Sequence, residues 1–396
     1  MSTDTIRVAL LTTSFPLRTG SVSGIFIQRL VKSLPTSVST TVVTPCDTSS
    51  ANFSTDYQLH CFRYAPWKWQ LLAHQPGGIP VALKRSKAMC WVLPIFLGAM
   101  CVACFRVSKK ADILHANWSV NGAIAGFIGL LLRKPVVTTL RGEDVVRAEK
   151  SKLYRYLLVW CLRSNDRLIT VSEAIHNLLA KEFPDYQHKI SFLPNGVDSK
   201  LINTPIPKTR PDGKIAFKLL SIGSLIPRKG VETIIDALGY LHSPRNFKLV
   251  VVGDGLELSN LKGLVKKKGL DNIVEFVGQV PPGQVAEYLR DADAFILASY
   301  SEGRPNVVLE SFAVGVPVIA SDINGVQELV RDNETGMRFP PGNARVLASK
   351  IEKLQQSIAL QAKLSKQGRE FILENHLLWE HTGQSYMKMY RKVIDN

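Results

Sequence analysis

The sequence predicts two doubly wound α/β domains joined by a linker. Short apolar runs alternate with helical patterns along most of the chain, as in parallel sheets that helices cover on both faces. Residues 199–215 interrupt this alternation with three prolines and no periodicity. The length of 396 residues also exceeds what one hydrophobic core usually fills. We therefore expect a first domain over residues 1–198, a linker over 199–215, a second domain over 216–370, and a final helix over 371–396 that packs back onto the first domain.

The predicted strands are apolar runs that end in polar residues. In the first domain they are "IRVALLTT", "TTVVTP", "ADILHANW", "PVVTTLRG", "DRLITVS" and "HKISFLPNGVD". After the linker the pattern restarts with "FKLLSIGSL", "FKLVVVGDG", "IVEFVGQV", "DAFILAS" and "GVPVIASD". Ligands of open parallel sheets bind beyond the carboxyl ends of the strands, so we expect the functional residues in the loops that follow these runs.

One apolar stretch is long enough to raise the question of a membrane span. Residues 88–105 are 18 apolar residues between two basic flanks. Pro94 and Gly98 fall inside the run and a strand follows it closely, which favours a buried or partly membrane-docked helix over a span. Just upstream, Trp67 and Trp69 alternate with basic residues. This composition is typical of a bilayer interface, and a solvated loop with two buried tryptophans is the alternative.

The charge of the chain is concentrated in its first half. The formal net charge is +16; residues 1–200 hold 24 Lys and Arg against 12 Asp and Glu, whereas residues 201–396 hold 25 against 21. A basic half suits an anionic membrane surface, a phosphorylated substrate or nucleic acid. The chain has no RNA-binding aromatic signature and no zinc-finger spacing, so nucleic acid is the least favoured partner.

The cysteines and the N-terminus point to a reducing compartment. Six cysteines without regular spacing indicate free thiols. Cys101 and Cys104 have CxxC spacing but lie inside an apolar run, so we interpret them as buried thiols. The opening "MSTDTIRVALLTTSFP" has a short apolar stretch and no cleavage pattern, which predicts a strand and not a signal peptide.

The stretch "SEGRPNVVLESFAVGVPVIASD" at residues 301–322 predicts an anion site at the start of a helix. It follows a predicted strand, and Asn306 is the predicted N-cap of the next helix. The backbone N–H groups of Val307 and Val308 would then face the crevice with the positive end of the helix dipole. Such a helix start suits a phosphate.

Two glutamates flank this helix start. Glu302 and Glu310 are separated by seven residues, and a carboxylate can accept hydrogen bonds from the two hydroxyls of a sugar or ribose diol. Arg228 and Lys229 follow another predicted strand and would bring two cations into the same crevice, where they could stabilise a diphosphate leaving group. This combination favours a nucleoside-diphosphate sugar.

At this point the chain resembles a known family. The stretch at residues 301–322, with "GVQELV" and "ETG" after it, is similar to the signature of the retaining, sugar-nucleotide-dependent glycosyltransferases with two Rossmann-like domains facing a cleft, the GT-B fold. The segments "SFPLRTGSVSGIF", "HANW", "VTTLRGEDV", "TVSEAI", "LPNGVD" and "SLIPRKG" follow in the family's order, and the resemblance covers nearly the whole chain.

The resemblance implies roles for the residues on the donor side. Glu302 would hold hydroxyls of the donor sugar and Glu310 the ribose. Lys229 and the backbone at residues 306–308 would bind the diphosphate, and Gly24 would lie in a flexible loop over the donor phosphates. Ser224 stands where the family often has an arginine, so the diphosphate would rely on Arg228 together with Lys229.

On the acceptor side, the resemblance points to His115, Asn117 and Asp144. In the family's "HGSD" the histidine usually lines the reaction centre. Here that position is Arg141, a fixed cation that cannot act as a base at neutral pH. The family's "HAHW" has become "HANW", with Asn117 in place of the second histidine. For His115, a purely structural position at the end of a strand is the alternative to acceptor contact.

The reaction implied by the resemblance is retaining transfer of a sugar to an acceptor hydroxyl, without a cofactor. The donor base is left open between uridine and guanosine, and no protein nucleophile is nominated. Asp291 and Asp293 form a D-x-D as in metal-dependent glycosyltransferases of another fold, but Asp293 opens a strand at the end away from ligands, so we expect no metal requirement.

The basic first half and residues 66–110 suggest an acceptor held at the inner face of the cell membrane. A lipid-linked saccharide or a lipopolysaccharide precursor would fit, with a cytoplasmic, peripheral enzyme. A small soluble acceptor, a sugar-nucleotide epimerase of the same fold and a non-catalytic nucleotide-sugar-binding protein are the alternatives. A nicotinamide-dependent dehydrogenase is disfavoured because no G-x-G-x-x-G follows the first strand.

Overall fold

The computed structural model describes residues 5–18, 20–47, 57–73, 79, 82–83, 89–203 and 216–395. Two compact units are distinguished: Met1–Asn195 with Trp379–Asn396 form the first, and Gly196–Leu378 form the second. Each is an α/β unit built on one parallel sheet, which confirms the predicted fold class of two doubly wound domains.

The sheet of the first unit has seven strands in the order β3-β2-β1-β4-β5-β6-β7. The strands are β1 (Ile6–Leu11), β2 (Val38–Pro45), β3 (Gln58–Phe62), β4 (Ile113–Asn117), β5 (Val136–Leu140), β6 (Arg167–Thr170) and β7 (Ile190–Phe192). The helices are α1 (Ile25–Ser33), α2 (Met89–Ser108), α3 (Ser119–Leu132), α4 (Glu143–Lys150), α5 (Lys152–Ser164), α6 (Glu173–Glu182) and, at the end of the chain, α15 (Trp379–Ile394).

Strand β3 was not predicted from the sequence. It pairs with β2 on one side only and buries one of its five residues. In contrast, β4 and β5 bury all of theirs, because helices cover both faces of the central strands. The apolar run at residues 88–105 forms α2, whose buried side chains include Phe96 and Met100. By length and composition alone, α2 is the one helix of the described residues that could cross a membrane.

The C-terminal segment is not one continuous helix. The preceding helix ends at Glu374, His376 adopts a positive φ of 53°, and α15 begins at Trp379. Tyr386 and Tyr390 of α15 are buried in the first unit's core beside Phe15 and Leu10. The last helix is therefore part of the first unit's core.

The sheet of the second unit has six strands in the order β10-β9-β8-β11-β12-β13. The strands are β8 (Phe217–Ile222), β9 (Phe247–Val252), β10 (Val274–Gly278), β11 (Ala294–Leu297), β12 (Val318–Ser321) and β13 (Met337–Phe339). The helices are α7 (Ser199–Ile202), α8 (Val231–Leu238), α9 (Leu258–Lys267), α10 (Val285–Arg290), α11 (Asn306–Val314), α12 (Asn324–Gln327), α13 (Ala344–Gln355) and α14 (Ile358–Glu374). Most of the predicted linker, residues 204–215, lies outside the described residues.

The D-x-D of the second unit anchors the amino end of its sheet. Asp293 accepts a hydrogen bond from the backbone N–H of Lys218 at 2.7 Å, and Asp291 pairs with Lys218 Nζ at 2.7 Å. Lys218 lies near the start of β8, so both carboxylates are at the edge opposite to the carboxyl ends of the strands. This position gives the two aspartates a structural role.

Candidate active site

The centre of the second sheet contains a topological switch point. Strands β8 and β11 are neighbours, while β9 and β10 continue to one side and β12 and β13 to the other. The loops after two such strands diverge and leave a crevice at their carboxyl ends, where ligands of doubly wound sheets bind. The loop after β8 carries Arg228 and Lys229, and the loop after β11 carries Glu302.

Glu302 is the meeting point of these side chains. Lys229 Nζ and Ser299 Oγ both donate hydrogen bonds to Glu302 Oε1, each at 2.6 Å. Arg228 Nη1 lies 3.8 Å from Glu302 Oε2 and donates to the carbonyl of Ser301 at 2.8 Å. The Glu302 side chain is 8% exposed. The structure therefore brings Arg228 and Lys229 next to a glutamate that lies more than seventy positions further along the sequence.

The electrostatics keep Glu302 ionised although it is buried. Burial alone would raise its pKa, but the charge and hydrogen bond of Lys229, the hydroxyl of Ser299 and the more distant Arg228 hold the pKa below its ordinary value. An ionised carboxylate accepts hydrogen bonds and donates none. Glu302 can therefore receive hydroxyl donors from a ligand, while the cations beside it attract anionic groups.

Helix α11 begins next to this carboxylate, but not as the sequence suggested. The N-cap is Pro305, and Asn306 is the first helical residue. The Asn306 cap prediction is therefore wrong by one position. The N–H of Val308 donates to the carbonyl of Pro305 at 3.1 Å, so this group, predicted to face a phosphate, is already bonded within the first turn.

The remaining donor-side residues of the second unit lie around the same edge. Glu310 is buried within α11, one turn after its start. Ser224 and Lys229 line a small pocket beside the end of β8. In the described structure Glu302, Arg228 and Lys229 form one cluster, with Ser224 bordering it.

In the first unit, the corresponding switch point lies between β1 and β4. Gly24 precedes α1 with a φ of 69°, and a Cβ at this position would lie 2.1 Å from the carbonyl oxygen of Ser14. Glycine is therefore required for the loop to pack this closely. The next residue but one, Phe26, lies under the guanidinium of Arg141 at 4.7 Å from the ring centre.

Arg141 is held by neutral side chains. Its guanidinium donates to Asn117 Oδ1 at 2.7 and 3.1 Å and to Asn195 Oδ1 at 3.0 Å. Of the predicted acceptor-side residues, Asn117 is thus in direct contact with Arg141.

Asp144 stabilises the backbone around this position. Its carboxylate accepts hydrogen bonds from the backbone N–H groups of Ser119, Arg141, Gly142 and Val145, at 3.0–3.2 Å. It is buried, and burial raises its pKa, although these backbone donors oppose the shift. The carboxylate fixes the loop after β5 and the first turn of α3, so the structure gives Asp144 a role in holding the backbone at this edge.

The expectation that His115 contacts the acceptor is wrong. Its side chain is 0% exposed, Nδ1 is 2.6 Å from the hydroxyl of Tyr390, and Nε2 is 2.8 Å from Thr139 Oγ1. Burial, followed by the charge of Arg141, lowers its pKa to about 3. His115 is a neutral core residue that connects the sheet to α15, which is the structural alternative.

Two family models match the chain. One described as "Glycosyltransferase Family 4" matches residues 25–201, and one described as "Glycosyl transferases group 1" matches residues 207–371. The chain belongs to the GT-B glycosyltransferases. The two models meet close to the division between the two compact units, so the family assignment extends over both sheets.

Curated relatives of this glycosyltransferase include enzymes of polysaccharide biosynthesis. The chain is 28% identical to an uncharacterized glycosyltransferase, MJ1178, of Methanocaldococcus jannaschii, over 73% of this chain and 77% of the relative. It is 29% identical to the amylovoran biosynthesis glycosyltransferase AmsK of Erwinia amylovora, over 65% of each chain.

Solved structures show the same fold. Sucrose-phosphate synthase from Thermosynechococcus elongatus aligns with a TM-score of 0.79 at 22% identity, over 98% of this chain and 99% of the other. HepE of Anabaena, in complex with UDP-glucose, aligns with a TM-score of 0.74 at 17% identity, over 98% and 100%. At these identities the likeness establishes the fold alone.

Sequence reasoning missed an ion pair that supports the glycosyltransferase's Glu302 loop. Arg304 Nε donates to Glu328 Oε1 at 2.6 Å, and the two side chains are 4% and 9% exposed. Gly325 packs against the same loop, because a Cβ there would lie 2.2 Å from the carbonyl oxygen of Glu302. Arg304 lies in the polar turn SEGRPN, so its charge alone does not indicate a buried side chain, and the sequence does not identify its partner.

Proposed function

We propose that this glycosyltransferase transfers a sugar, with retention of configuration, from a nucleoside-diphosphate sugar to an acceptor hydroxyl. The observation that carries the proposal is Glu302, a buried and ionised carboxylate that Lys229 and Ser299 hold at the switch point of the second sheet. Beside it are the cation of Arg228 and the start of α11. This set combines hydroxyl acceptors with anion-binding groups, as a nucleotide sugar requires.

The roles of the side chains follow from their chemistry. Lys229 has three N–H donors, of which one is used by Glu302, so two are available for diphosphate oxygens. Negative charge grows on the diphosphate as the bond between the sugar and the phosphate breaks, and Lys229 and Arg228 stabilise it. Glu302 accepts hydrogen bonds from hydroxyls of the transferred sugar and fixes its orientation.

No side-chain nucleophile is proposed. The acceptor oxygen forms its bond to the sugar on the face that the phosphate leaves, and the acceptor proton passes to an oxygen of the departing phosphate. Because two cationic side chains and a helix start can neutralise the leaving group, we expect turnover without a divalent metal. The complex of HepE with UDP-glucose makes UDP-sugars the first donors to test, with GDP-sugars as the alternative.

The test begins with thermal stabilisation by a panel of UDP- and GDP-sugars, because a ligand that binds only the folded state raises the melting temperature. The best donor is then supplied with lipid-linked and soluble saccharide acceptors in the presence of EDTA. NMR of the product is expected to show the anomeric configuration of the donor. Inversion of configuration would contradict the retaining mechanism. Isomerised nucleotide sugar formed without an acceptor would favour the epimerase.

We also propose that the acceptor is lipid-linked and that the enzyme works at an anionic membrane surface. Helix α2 supports this with one outward stripe: Trp91, Ile95 and Val102 are all exposed, Trp91 by 84%. Their spacing places them on the same side of the helix. A water-facing helix of a globular protein normally presents polar residues there.

The stripe continues on the neighbouring helices. These neighbours are α3, which packs between α2 and α5, and α5 itself. Both α3 and α5 also expose large apolar side chains. We define the apolar face as the exposed residues Trp91, Ile95, Val102, Phe127, Leu130, Leu131, Leu153 and Tyr156. Trp67 and Trp69, in a short 3-10 helix, are also exposed, so they are not the buried tryptophans of the alternative interpretation.

Charge complements this face. Helices α2, α3 and α5 contain no Asp or Glu. Each helix runs back to the next strand of a parallel sheet, so all three end at the same sheet edge. Exposed cations collect at this edge: Arg106, Lys109, Lys110, Arg133 and Arg163. Asp112 and Asp166 also lie at this edge, where the cations outnumber them. An apolar face on helices without carboxylates, bordered by an excess of cations, is the composition of a surface that binds anionic lipid.

Vesicle sedimentation tests the membrane proposal. We expect the protein to bind vesicles of phosphatidylcholine with phosphatidylglycerol, to bind pure phosphatidylcholine less, and to be partly released by salt. A Trp91→Ser, Leu130→Ser double variant is expected to lower partitioning about tenfold or more. Leu256→Ser is the matched control, since Leu256 is exposed on the second unit. No binding to the anionic vesicles at low salt would contradict the proposal.

A further inference from the structure

The carboxyl edge of the first sheet contains a second charged position that the donor chemistry does not use. Arg141 follows β5, Asn117 ends β4 and Trp118 follows it, and Phe26 lies at the start of α1. Arg141 lies over the Phe26 ring at 4.7 Å, and Phe26 contacts Trp118 edge to face at 6.2 Å. The four side chains thus meet at the switch point of this sheet, where a doubly wound unit binds its ligand.

The hydrogen bonds fix the orientation of the guanidinium and of both amides. A guanidinium only donates, so the amide oxygens of Asn117 and Asn195 must face Arg141. Three of the five N–H groups of Arg141 are used in these bonds, which leaves one on each terminal nitrogen. The Asn117 Nδ2 group is buried, and no described group accepts a hydrogen bond from it. Three N–H donor groups of this cluster, two on Arg141 and the amide group of Asn117, therefore have hydrogen-bonding capacity that the described residues do not use.

The positive charge of Arg141 is not balanced by an ion pair. No carboxylate of the described part of the chain lies within ion-pair distance of its guanidinium. The nearest candidate, Asp144, directs its oxygens to four backbone N–H groups. Burying a cation without an ion-pair partner is costly, and burial lowers the pKa of Arg141 from its ordinary value, although the charge of Asp144 opposes the shift. A guanidinium nevertheless stays charged at any physiological pH.

The aromatic neighbours add a surface of another kind. Trp118 has a φ of 69°, a conformation that a tryptophan adopts only under constraint. Its N–H donates to the carbonyl of Thr139 at 2.9 Å, which anchors this backbone to β5. Both Trp118 and Phe26 remain partly exposed. Rigid aromatic rings beside polar donors suit the apolar ring face of a sugar.

We propose that Arg141, Asn117, Trp118 and Phe26 form a subsite for an acidic saccharide, in which Arg141 binds an oxyanion of the acceptor and the two rings contact the sugar. The oxyanion is a carboxylate of an acidic sugar or a phosphate attached to the saccharide. Its assignment to the acceptor rests on the proposed glycosyl transfer. The subsite itself does not, because all of its residues belong to the first unit.

Three monosaccharide probes test the subsite: methyl β-glucuronide, glucose 6-phosphate and neutral methyl β-glucoside. Dissociation constants are measured by calorimetry or ligand-detected NMR without donor. We expect one or both anionic probes to bind about tenfold or more tightly than the neutral one, since a charge-assisted hydrogen bond is lost in the latter. The Arg141→Met variant is expected to bind all three alike. A preference for one anionic probe identifies the source of the oxyanion.

Two further variants separate this role from a structural one. Arg141→Lys keeps the charge but not the planar fork, so part of the preference should return. Arg147→Met removes a nearby cation that pairs with Glu143 and should leave the preference unchanged. Circular dichroism verifies that each variant is folded.

Two results would overturn the inference: no anion preference in the wild type, or an anion preference that survives Arg141→Met, whether or not that variant still binds UDP. Failure of the wild type to bind any nucleotide sugar, together with a clear anion preference, would instead refute the proposed transfer and leave the subsite standing.

Discussion

The two sheets of this glycosyltransferase have the same order over six strands. They differ in the partners of the cation that lies near the switch point. In the second unit, Lys229 is paired with the buried Glu302 at 2.6 Å. In the first unit, Arg141 donates hydrogen bonds to the neutral amides of Asn117 and Asn195. The carboxyl edge of the second sheet therefore carries a cation paired with a carboxylate after β8, and that of the first sheet carries, after β5, a cation without an ion pair among the described residues. A balanced pair suits a ligand with both hydroxyls and phosphates, whereas an unbalanced cation suits an anion.

The largest expected effect comes from breaking the balanced pair. Lys229→Met should lower transfer at least about 100-fold, because one stabilising cation of the leaving group is lost. It should also destabilise the protein by about 3–5 kcal/mol, since Glu302 would remain buried without its partner. Activity assays and denaturant unfolding measure the two effects.

Controls separate the two contributions. The double variant Lys229→Met, Glu302→Gln should recover stability but not activity, because the uncompensated charge is removed with its partner. Arg141→Met should lower stability less than Lys229→Met, since it leaves no buried carboxylate unpaired. Lys262→Met, an exposed lysine on α9, should change neither quantity. Equal destabilisation at Lys229 and Arg141 would break the comparison.

The ion pair beneath the Glu302 loop has a large effect on stability alone. Arg304→Met is expected to cost about 3 kcal/mol or more, because Glu328 would remain as a buried charge. Thermal and denaturant unfolding measure this loss. Residual transfer by the folded fraction should stay within about tenfold of the wild type, since Arg304 pairs with Glu328 and positions the loop. Unchanged stability would show that the pair is dispensable.

The neutral histidine of the first unit makes stability depend on pH. The pKa of His115 is lowered to about 3 in the folded protein, against about 6.5 in an unfolded chain. Between these values the unfolded state binds more protons, so the free energy of unfolding falls as pH drops below about 6.5. At pH 5 the loss from this residue should be about 2 kcal/mol. A His115→Gln variant should show a flatter profile between pH 7 and pH 5; an identical slope in both proteins would contradict the assignment.

The sequence predicted every strand between two helical layers and two edge strands, β7 and β10, but missed one edge strand of each sheet, β3 and β13. Strand β1 buries five of its six residues. Such a strand is recognisable in the sequence as an apolar run, because helices cover both faces of the sheet there. Strand β3 exposes polar residues and β13 has only three residues, so neither produces such a run. The break after Glu374 was also missed, because it depends on the backbone of His376 and not on a proline or glycine.

The candidate site also contains residues that the sequence predicts and contacts that it does not predict. Glu302, Arg228 and Lys229 could be selected from the sequence, because each follows a strong strand pattern and the chemistry of their side chains is complementary. The partners of Arg304, Arg141 and His115 could not be predicted. They lie 24 or more positions away along the chain and become neighbours only through the packing of loops and of α15.

The smallest expected effect on stability and activity comes from replacing Arg228. This substitution tests how much Arg228, in addition to Lys229, contributes to pairing with Glu302. Its guanidinium is 3.8 Å from Glu302 Oε2 and the side chain is 39% exposed, so the interaction is partly screened by solvent. Arg228→Met should therefore leave the melting temperature nearly unchanged and raise the KM for the nucleotide sugar about two- to fivefold. The increase should shrink as ionic strength rises, because salt weakens the wild-type contact with the diphosphate. An effect as large as that of Lys229→Met would mean that Arg228 is the main phosphate ligand, and that Lys229 serves chiefly to keep Glu302 ionised.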